Sequence, residues 1–310
     1  MHLQERCQLE GELTALERMI ETTPEELWFE RIGFEHRKKE IEKVLADYPE
    51  SLQEPARASI TFRGCPVIGT QGIFAQFAAE ALGAFADAVA TVGASMSNDL
   101  GSRGKIPERN KFSFLITGTS LGSFGFQLEE APAQDTIQQP LFEEDSPAKL
   151  ALRQTCDFLR ATLGSDDQLA DAVLETDARA IESVRKFLYL LASNEASCTL
   201  SFERASGFSF DEVSEVQQSL ERIRQDNLFE EEVELEGFFE GVLPKKREFQ
   251  FKEENNNDSI IGKIENTIEN ASVINDSLGK KVRLSLVKKT VGNGKPRYRL
   301  KSYTIEATNK

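Results

Sequence analysis

Residues 58–92 constrain the fold more than any other part of the sequence. They read ASITFRG, CPVIGTQG and IFAQFAAEALGAFADAVATV, which predicts a short strand, a turn and a long apolar helix. Apolar residues recur along the helix at steps of three and four, and alanine fills most of the other positions. The apolar series is Phe74, Phe77, Ala81, Phe85, Ala88 and Val92. We therefore expect a helix that is almost completely buried at the centre of the protein.

A membrane span would also be long and apolar, but Glu80 and Asp87 oppose this interpretation. A carboxylate near the middle of a span costs about 2.5 to 3.5 kcal/mol on insertion scales. Both residues lie on one face of the helix, where each needs a polar partner or access to water. The first residues, MHLQERCQLEGE, are too charged for a secretory signal. The sequence thus predicts a cytoplasmic protein that does not contact a membrane.

Residues 1–48 predict two amphipathic helices that form a coiled-coil-like hairpin. The apolar seam of the first helix consists of Leu9, Leu13, Leu16 and Ile20. The seam of the second helix, at heptad spacing, consists of Leu27, Phe34, Ile41 and Tyr48. Such a hairpin either docks on the rest of its own chain or pairs between chains. Residues 1–48 are therefore the candidate segment for self-association as a homo-oligomer or for binding a protein partner.

Residues 56–226 predict an α+β body around the central helix. Alternating apolar and polar residues at 111–119 and 123–130 predict a β-hairpin, and residues 197–203 predict a strand that returns to the same sheet. Helical spacing returns over residues 148–193, where Ser165 and Gln168 have the spacing of a capping box. Residues 93–110, rich in Gly, Ser and Asn, predict a long loop, and the segment near 129–147 predicts a linker.

Residues 230–306 predict a five-stranded OB-like β-barrel. The predicted strands cover residues 231–242, 247–252, 259–264, 280–287 and 297–305, and a helix at 267–278 separates the third strand from the fourth. Barrels with this order commonly bind oligonucleotides and also serve as protein adaptors, so the architecture alone names no ligand. The predicted fold class is α+β, with an N-terminal helical hairpin, a body with a buried central helix and a C-terminal barrel.

Charge is distributed unevenly along the chain. The net charge is −15, yet residues 279–310 contain ten Lys or Arg and one acid, which gives +9 and leaves −24 for the remainder. In the last two predicted strands, cations alternate with apolar residues, so one face is cationic and two tyrosines flank it. This pattern predicts a partner-binding or nucleic-acid-binding site. The candidate residues are Lys281, Arg283, Arg297, Tyr298, Arg299, Lys301 and Tyr303.

The same cationic face could instead be neutralised within the chain. Glu232, Glu234 and Glu236 alternate with Val233 and Leu235 on the first predicted barrel strand. Opposite charges on neighbouring strands stabilise a sheet by roughly 0.2 to 1 kcal/mol a pair. Because the rest of the chain is strongly acidic, a long polyanion would be repelled unless the barrel projects away from it. The sequence favours this internal match over nucleic-acid binding.

The sequence offers little that predicts catalysis, a metal site or a cofactor. The glycines of residues 118–125 are not spaced as a dinucleotide-binding motif, and none of the four Gly-Lys pairs completes a Walker A motif. His2 is terminal and His36 is expected on a solvated helix face. The four cysteines are far apart and are expected to be reduced thiols. They are Cys7, Cys65, Cys156 and Cys198.

One faint nuclease-like pattern remains. Gln250 and Lys252 follow Glu236 and Glu240, an order that loosely resembles the acids and lysine of Mg²⁺-dependent nucleases. However, alternation with Phe249 also describes an ordinary half-buried strand. We predict a non-enzymatic cytoplasmic adaptor, with a nucleic-acid-binding protein as the alternative and a metal-dependent nuclease third. This combination of parts resembles accessory proteins of bacterial multi-protein systems, including those of phage defence.

Overall fold

The computed structural model describes residues 3–24, 27–47, 55–97, 100–101, 103–120, 124–132, 145–202, 207–255, 259–265, 267–292 and 294–306. The chain divides into two compact units. The first unit comprises Met1–Ala56 and Gln134–Ser146, and the second comprises Arg57–Ala133 and Pro147–Lys310. Helices and sheets are mixed, as an α+β fold requires. The greater part of the predicted linker near 129–147 lies outside the described residues.

The first unit contains the predicted pair of helices, α1 (Leu3–Thr22) and α2 (Trp28–Asp47). Leu16 and Ile41 of the predicted seams are buried. Leu27 is instead 47% exposed because it precedes the first residue of α2, and Tyr48 lies outside the described residues. Ion pairs also join the two helices, with the Arg37 guanidinium lowering the pKa of Glu12. These pairs are Arg37–Glu12 at 2.9 Å and Lys38–Glu17 at 2.8 Å.

A five-stranded sheet forms one layer of the second unit, with the strand order β4-β5-β1-β6-β7. Its strands are β1 (Arg57–Gly64), β4 (Phe114–Ser120), β5 (Phe124–Glu130), β6 (Ala196–Phe202) and β7 (Phe208–Ser209). Neighbouring strands are antiparallel. The pairing of β6 with β1 confirms that the later strand returns to the sheet of the first. Two short strands, β2 (Val67–Ile68) and β3 (Gly72–Ile73), form a separate small hairpin.

Helices form the second layer of this body. They are α3 (Ala75–Ser95), α4 (Pro147–Leu163), α5 (Asp166–Glu175), α6 (Ala178–Ser193) and α7 (Val213–Arg222). The apolar face of α3 packs in one core with α4, α6 and the sheet, and the Phe85 ring lies 5.5 Å from the Phe187 ring. Ser165 and Gln168 form the predicted capping box at the start of α5, because each side chain bonds the other residue's backbone N–H.

The central helix differs from its prediction at the N-terminal end. Phe74 precedes the helix and is 59% exposed, so it is not part of the core. Glu80 and Asp87 lie on an exposed face, where Gln76 donates to Glu80 at 3.0 Å and Arg109 pairs with Asp87. Among the described residues, α3 is the one helix with the length and composition of a membrane span, and 61% of its span-like window is buried. That burial is consistent with the core helix of a soluble protein.

Five further strands close into a barrel in the order β10-β12-β11-β8-β9. They are β8 (Leu228–Leu243), β9 (Glu248–Glu253), β10 (Ser259–Ile264), β11 (Lys281–Val291) and β12 (Arg297–Ile305). The helix predicted at 267–278 is a 3₁₀ helix, Ala271–Ser277. Asn270 Oδ1 accepts a hydrogen bond from Ser272 N at 3.1 Å, and such local side-chain bonds compete with α-helix formation.

The basic hairpin as a candidate binding site

The basic hairpin, as we call strands β11 and β12, carries all seven residues predicted to form the binding site. Its inner side follows from the alternation of the sequence: Val282, Leu284 and Leu286 are fully buried in the barrel core. Beyond an irregularity between Ser285 and Leu286, the pairing continues with Leu286 opposite Leu300. The intervening cations therefore lie on the outside of the barrel.

The two tyrosines of the predicted site belong to the barrel core. Tyr298 and Tyr303 are half-buried and pack against its buried residues. The Tyr303 ring meets the Phe239 ring edge-on, with centroids 5.7 Å apart and an interplanar angle of 87°. A platform for stacking bases needs aromatic faces open to solvent. This geometry gives the tyrosines a packing role.

At one end of the hairpin, two cations share three carboxylates. Lys281 Nζ lies 2.7 Å from Glu254 and 3.4 Å from both Glu236 and Glu306. Arg283 Nη2 lies 2.7 Å from Glu236 and 3.2 Å from Glu306. The hydrogen bonds from Arg283 and Lys281 lower the pKa of Glu236, and the bond to Glu254 raises the pKa of Lys281. This end of the hairpin is an ion-pair network with β8 as its neighbour.

The middle of the hairpin is paired with the same strand. Lys301 Nζ bonds Glu232 at 2.5 Å, and Lys288 Nζ bonds Glu231 at 2.5 Å. The Lys288 contact follows from the antiparallel register of β11 with β8, which places Lys288 opposite Glu231, whereas Lys301 reaches Glu232 of β8 from β12. Arg299 differs, because no carboxylate of the described residues lies within ion-pair distance of its guanidinium.

The other end of the hairpin contacts helix α5 of the body. Arg297 Nε bonds Asp171 Oδ1 at 2.5 Å, and its Nη2 lies 3.1 Å from Asp167 Oδ1. The hydrogen bond to Asp171 raises the pKa of Arg297. Nearby, Lys289 is 8% exposed, and its Nζ lies 3.4 Å from both Glu230 and the Val173 carbonyl. Burial lowers the pKa of Lys289.

Four of the five cations predicted to form the site thus have carboxylate partners in their own chain. They are Lys281, Arg283, Arg297 and Lys301. Of the glutamates predicted to match them, Glu232 and Glu236 do so, whereas Glu234 lies opposite Ser285. Arg297 departs from the expected arrangement, because its acids come from α5 and not from β8.

The residues of the nuclease-like pattern are engaged in other contacts. Glu236 is held by Arg283 and Lys281, while Glu240 Oε2 accepts hydrogen bonds from Gln250 at 3.1 Å and from Ser259 at 2.8 Å. Within the described part of the chain, no group of three or more His, Cys, Asp or Glu is arranged to hold a metal ion. The geometry offers these side chains no shared position for a cation.

The remaining reactive residues are dispersed. Burial raises the pKa of Cys156 and of Cys198 to about 12, which keeps both thiols protonated. Cys65 is exposed, and its thiol donates to Glu195 at 3.1 Å, a bond that raises its pKa. His36 lies on the surface of α2, whereas His2 and the Cys7 side chain lie outside the described residues.

The sequence pattern missed one surface feature, at the end of the hairpin of residues 1–48. Met19, Leu27, Trp28, Phe29 and Ile32 are all exposed there, and we call them the hairpin tip. Trp28 and Phe29 fall outside the heptad seam of α2, so two adjacent aromatic residues off the seam were the sequence feature that could have predicted this exposed surface.

Comparisons with protein families, curated proteins and solved structures give no match for this chain.

Proposed function

We propose that this protein is a non-enzymatic interaction protein that self-associates through the hairpin of residues 1–48 and acts as an adaptor in a multi-protein system. The observation that carries the proposal is the hairpin tip, where Phe29 is 77% and Trp28 is 61% exposed. Contiguous exposed apolar residues on a soluble protein mark sites of protein association. Tryptophan is also among the residues that dominate binding energy at protein interfaces.

The two aromatic rings of the tip already contact each other. Their centroids are 5.4 Å apart, with an interplanar angle of 81°. Preorganised aromatic side chains lose little conformational freedom on binding, so more of their burial contributes to affinity. Ile32 lies one helical turn beyond Trp28 and extends the apolar surface along α2. A second hairpin could cover this surface in a symmetric contact, which is the commonest arrangement of homodimers.

The barrel supports an adaptor in a different way. We propose that it is OB-like, because the 3₁₀ helix separates its third strand from its fourth, and its third and fifth strands pair in parallel. OB barrels bind oligonucleotides along their second and third strands. Here the outside of those strands carries the bonds between Glu240, Gln250 and Ser259, and an ion pair of Lys263 with Glu248. Such a surface suits a protein partner better than a phosphate backbone.

Light scattering with the full chain tests the self-association. We expect the wild type to exceed the 34.7 kDa of one chain, and Phe29→Glu with Ile32→Glu to reduce it to that mass. Trp28 is the only tryptophan, so its fluorescence should shift to longer wavelength when the contact is lost. Tyr189→Glu, at an exposed aromatic residue of the body, is the matched control and should leave the mass unchanged.

Two results would contradict the proposal. One is a wild type that has the mass of a single chain at every concentration tested. The other is binding of a single-stranded oligonucleotide tighter than micromolar at physiological salt that is lost in Arg299→Glu, the hairpin cation without an ion pair among the described residues. The second result would favour a nucleic-acid-binding protein. A cation that contacts phosphate is required for binding, and the affinity of such a contact falls steeply as the salt concentration rises.

A further inference from the structure

A second charged surface lies on the body, away from the basic hairpin. It is a groove of about 740 Å³ between α3 and α6, covered on one side by the segment 104–110. We call it the loop groove. Its volume falls within the roughly 300 to 1,000 Å³ of typical small-molecule sites. The segment belongs to the long loop that the sequence predicted, and loops of that length are often functional.

The floor of the groove is made of hydroxyl groups. Thr91 is 1% exposed, and its Oγ1 donates to the Asp87 carbonyl at 2.6 Å. Ser183 Oγ lies 3.2 Å from Thr91 Oγ1 and within the same distance of the Arg179 carbonyl. These bonds connect α3 to α6 directly beneath the cavity. Both hydroxyl hydrogens are used in these bonds, so the floor offers oxygen lone pairs that can accept a hydrogen bond from a bound molecule.

The covering segment is held in a defined conformation. Arg179 of α6 donates to the Gly101 carbonyl at 3.4 Å and also to the Gly104 carbonyl. Gly104 has a φ of 113°, which favours glycine, and Glu108 has a φ of 48°. A glutamate in the left-handed region stores strain of order 1 kcal/mol, and such strain concentrates at functional sites. The segment is therefore fixed over the groove by contacts with α6.

Positive charge is in excess around the groove. Each of its three carboxylates is already paired with a cation: Asp87 with Arg109, Glu108 with Lys111, and Glu182 with Arg185. Lys105, Arg179 and Lys186 also line the groove, and no described carboxylate lies within ion-pair distance of them. Four cations and three carboxylates line the groove, which gives +1 in a chain of net charge −15. An anion entering the groove would meet Lys105, Arg179 and Lys186, whose charges are not paired with a described carboxylate.

We propose that the loop groove binds a small molecule that carries phosphate groups and is the size of a nucleotide. Lys105 approaches from the covering segment and Lys186 from α6, so the two ammonium groups can contact the phosphates from both sides. The guanidinium of Arg179 has further N–H groups beyond the two that bond the Gly101 and Gly104 carbonyls, and these can donate to phosphate oxygens. Ile106, which also lines the groove, offers an apolar contact for the rest of the ligand. This binding does not depend on the association through residues 1–48.

Calorimetric titration of the full chain tests this site with ATP, inorganic triphosphate and adenosine as probes. We expect ATP and triphosphate to bind and adenosine not to bind, because the phosphates supply the charge. Lys105→Glu with Lys186→Glu should weaken the binding of ATP by about tenfold or more. Both residues are exposed, so circular dichroism and the melting temperature should remain those of the wild type.

Lys245→Glu with Lys246→Glu is the matched control. This pair is also exposed, but it lies in the turn between β8 and β9 of the barrel, so ATP binding should not change. Three results would overturn the proposal: no binding of ATP or triphosphate at millimolar concentrations, equal loss in both double variants, or adenosine binding as tight as that of ATP. Equal loss would show a general effect of net charge and not a site.

Discussion

Arg297 connects the barrel to the body, and reversal of its charge tests that connection. Its side chain is 22% exposed, whereas Asp167 and Asp171 on α5 are 58% and 63% exposed. An exposed ion pair contributes about 0.2 to 1 kcal/mol, and a hydrogen bond to a charged group about 1.5 to 3 kcal/mol. Because both aspartates are exposed and Arg297 is partly buried, we assign each contact about 1 kcal/mol, the upper end of the range for exposed ion pairs. Arg297→Glu also adds repulsion, so we expect a loss of about 2 to 3 kcal/mol.

Thermal denaturation measures this loss. For a protein of this size, a change of 1 kcal/mol shifts the melting temperature by about 2 to 4 °C, so Arg297→Glu should lower it by roughly 4 to 12 °C. Adding Asp171→Lys should recover a substantial part of the shift, because the double variant restores opposite charges. Lys295→Glu is the matched control, since Lys295 is exposed two residues away and pairs with no described carboxylate.

The pattern of rescue separates two arrangements of the hairpin. An unchanged melting temperature in Arg297→Glu would refute the stabilising contact with α5. Rescue by Glu232→Lys and not by Asp171→Lys would place Arg297 against β8, as the sequence suggested. Because Glu232 already bonds Lys301 at 2.5 Å, we expect its reversal to destabilise the protein further.

Two more predictions concern other charged residues of the barrel. Lys289→Met should raise the melting temperature. Burial lowers the pKa of Lys289, and the polar contacts of its ammonium group, to Glu230 and the Val173 carbonyl, are long at 3.4 Å. A lower melting temperature in the variant would show that these contacts compensate for the buried charge. The pKa of Glu236 is lower in the folded protein than its ordinary value of 4.5. Its ionised carboxylate therefore stabilises the fold fully at a pH above 4.5, and this stabilisation is lost as the pH falls through the lowered pKa. Denaturant titrations should therefore show that the free energy of unfolding decreases less between pH 7 and pH 3 in Glu236→Gln than in the wild type.

Much of the fold could be predicted because local patterns specify it. The three- and four-residue spacing of Phe77, Ala81 and Phe85 placed α3 correctly, since a helix must bury such a face. Ser165 and Gln168 marked the start of α5 because a capping box needs only a three-residue spacing. Alternation likewise located the barrel strands, although β8 and β11 are longer than their apolar patterns.

The candidate site could be predicted only in part, because ion pairs depend on which strands become neighbours. Alternation showed that Arg297 lies on the outside of β12, but no local pattern indicates that α5 lies opposite it. The tyrosines read as flanking residues in the linear sequence, yet the barrel curves and turns Tyr303 onto Phe239. The positive charge of the loop groove was also hidden, because Lys105 and Lys186 come from segments far apart in the chain.

The contrast of +9 and −24 along the chain overstates the separation of charge in the folded protein. A sum over consecutive residues treats the basic hairpin as isolated, whereas the antiparallel register of β8 with β11 brings Glu236 opposite Arg283. A polyanion at the hairpin would have to displace these pairs and meet the carboxylates that remain. Around the loop groove the acids are fewer than the cations, so an anion gains attraction without breaking a pair. The fold thus shifts the expected site for phosphate from the barrel to the body.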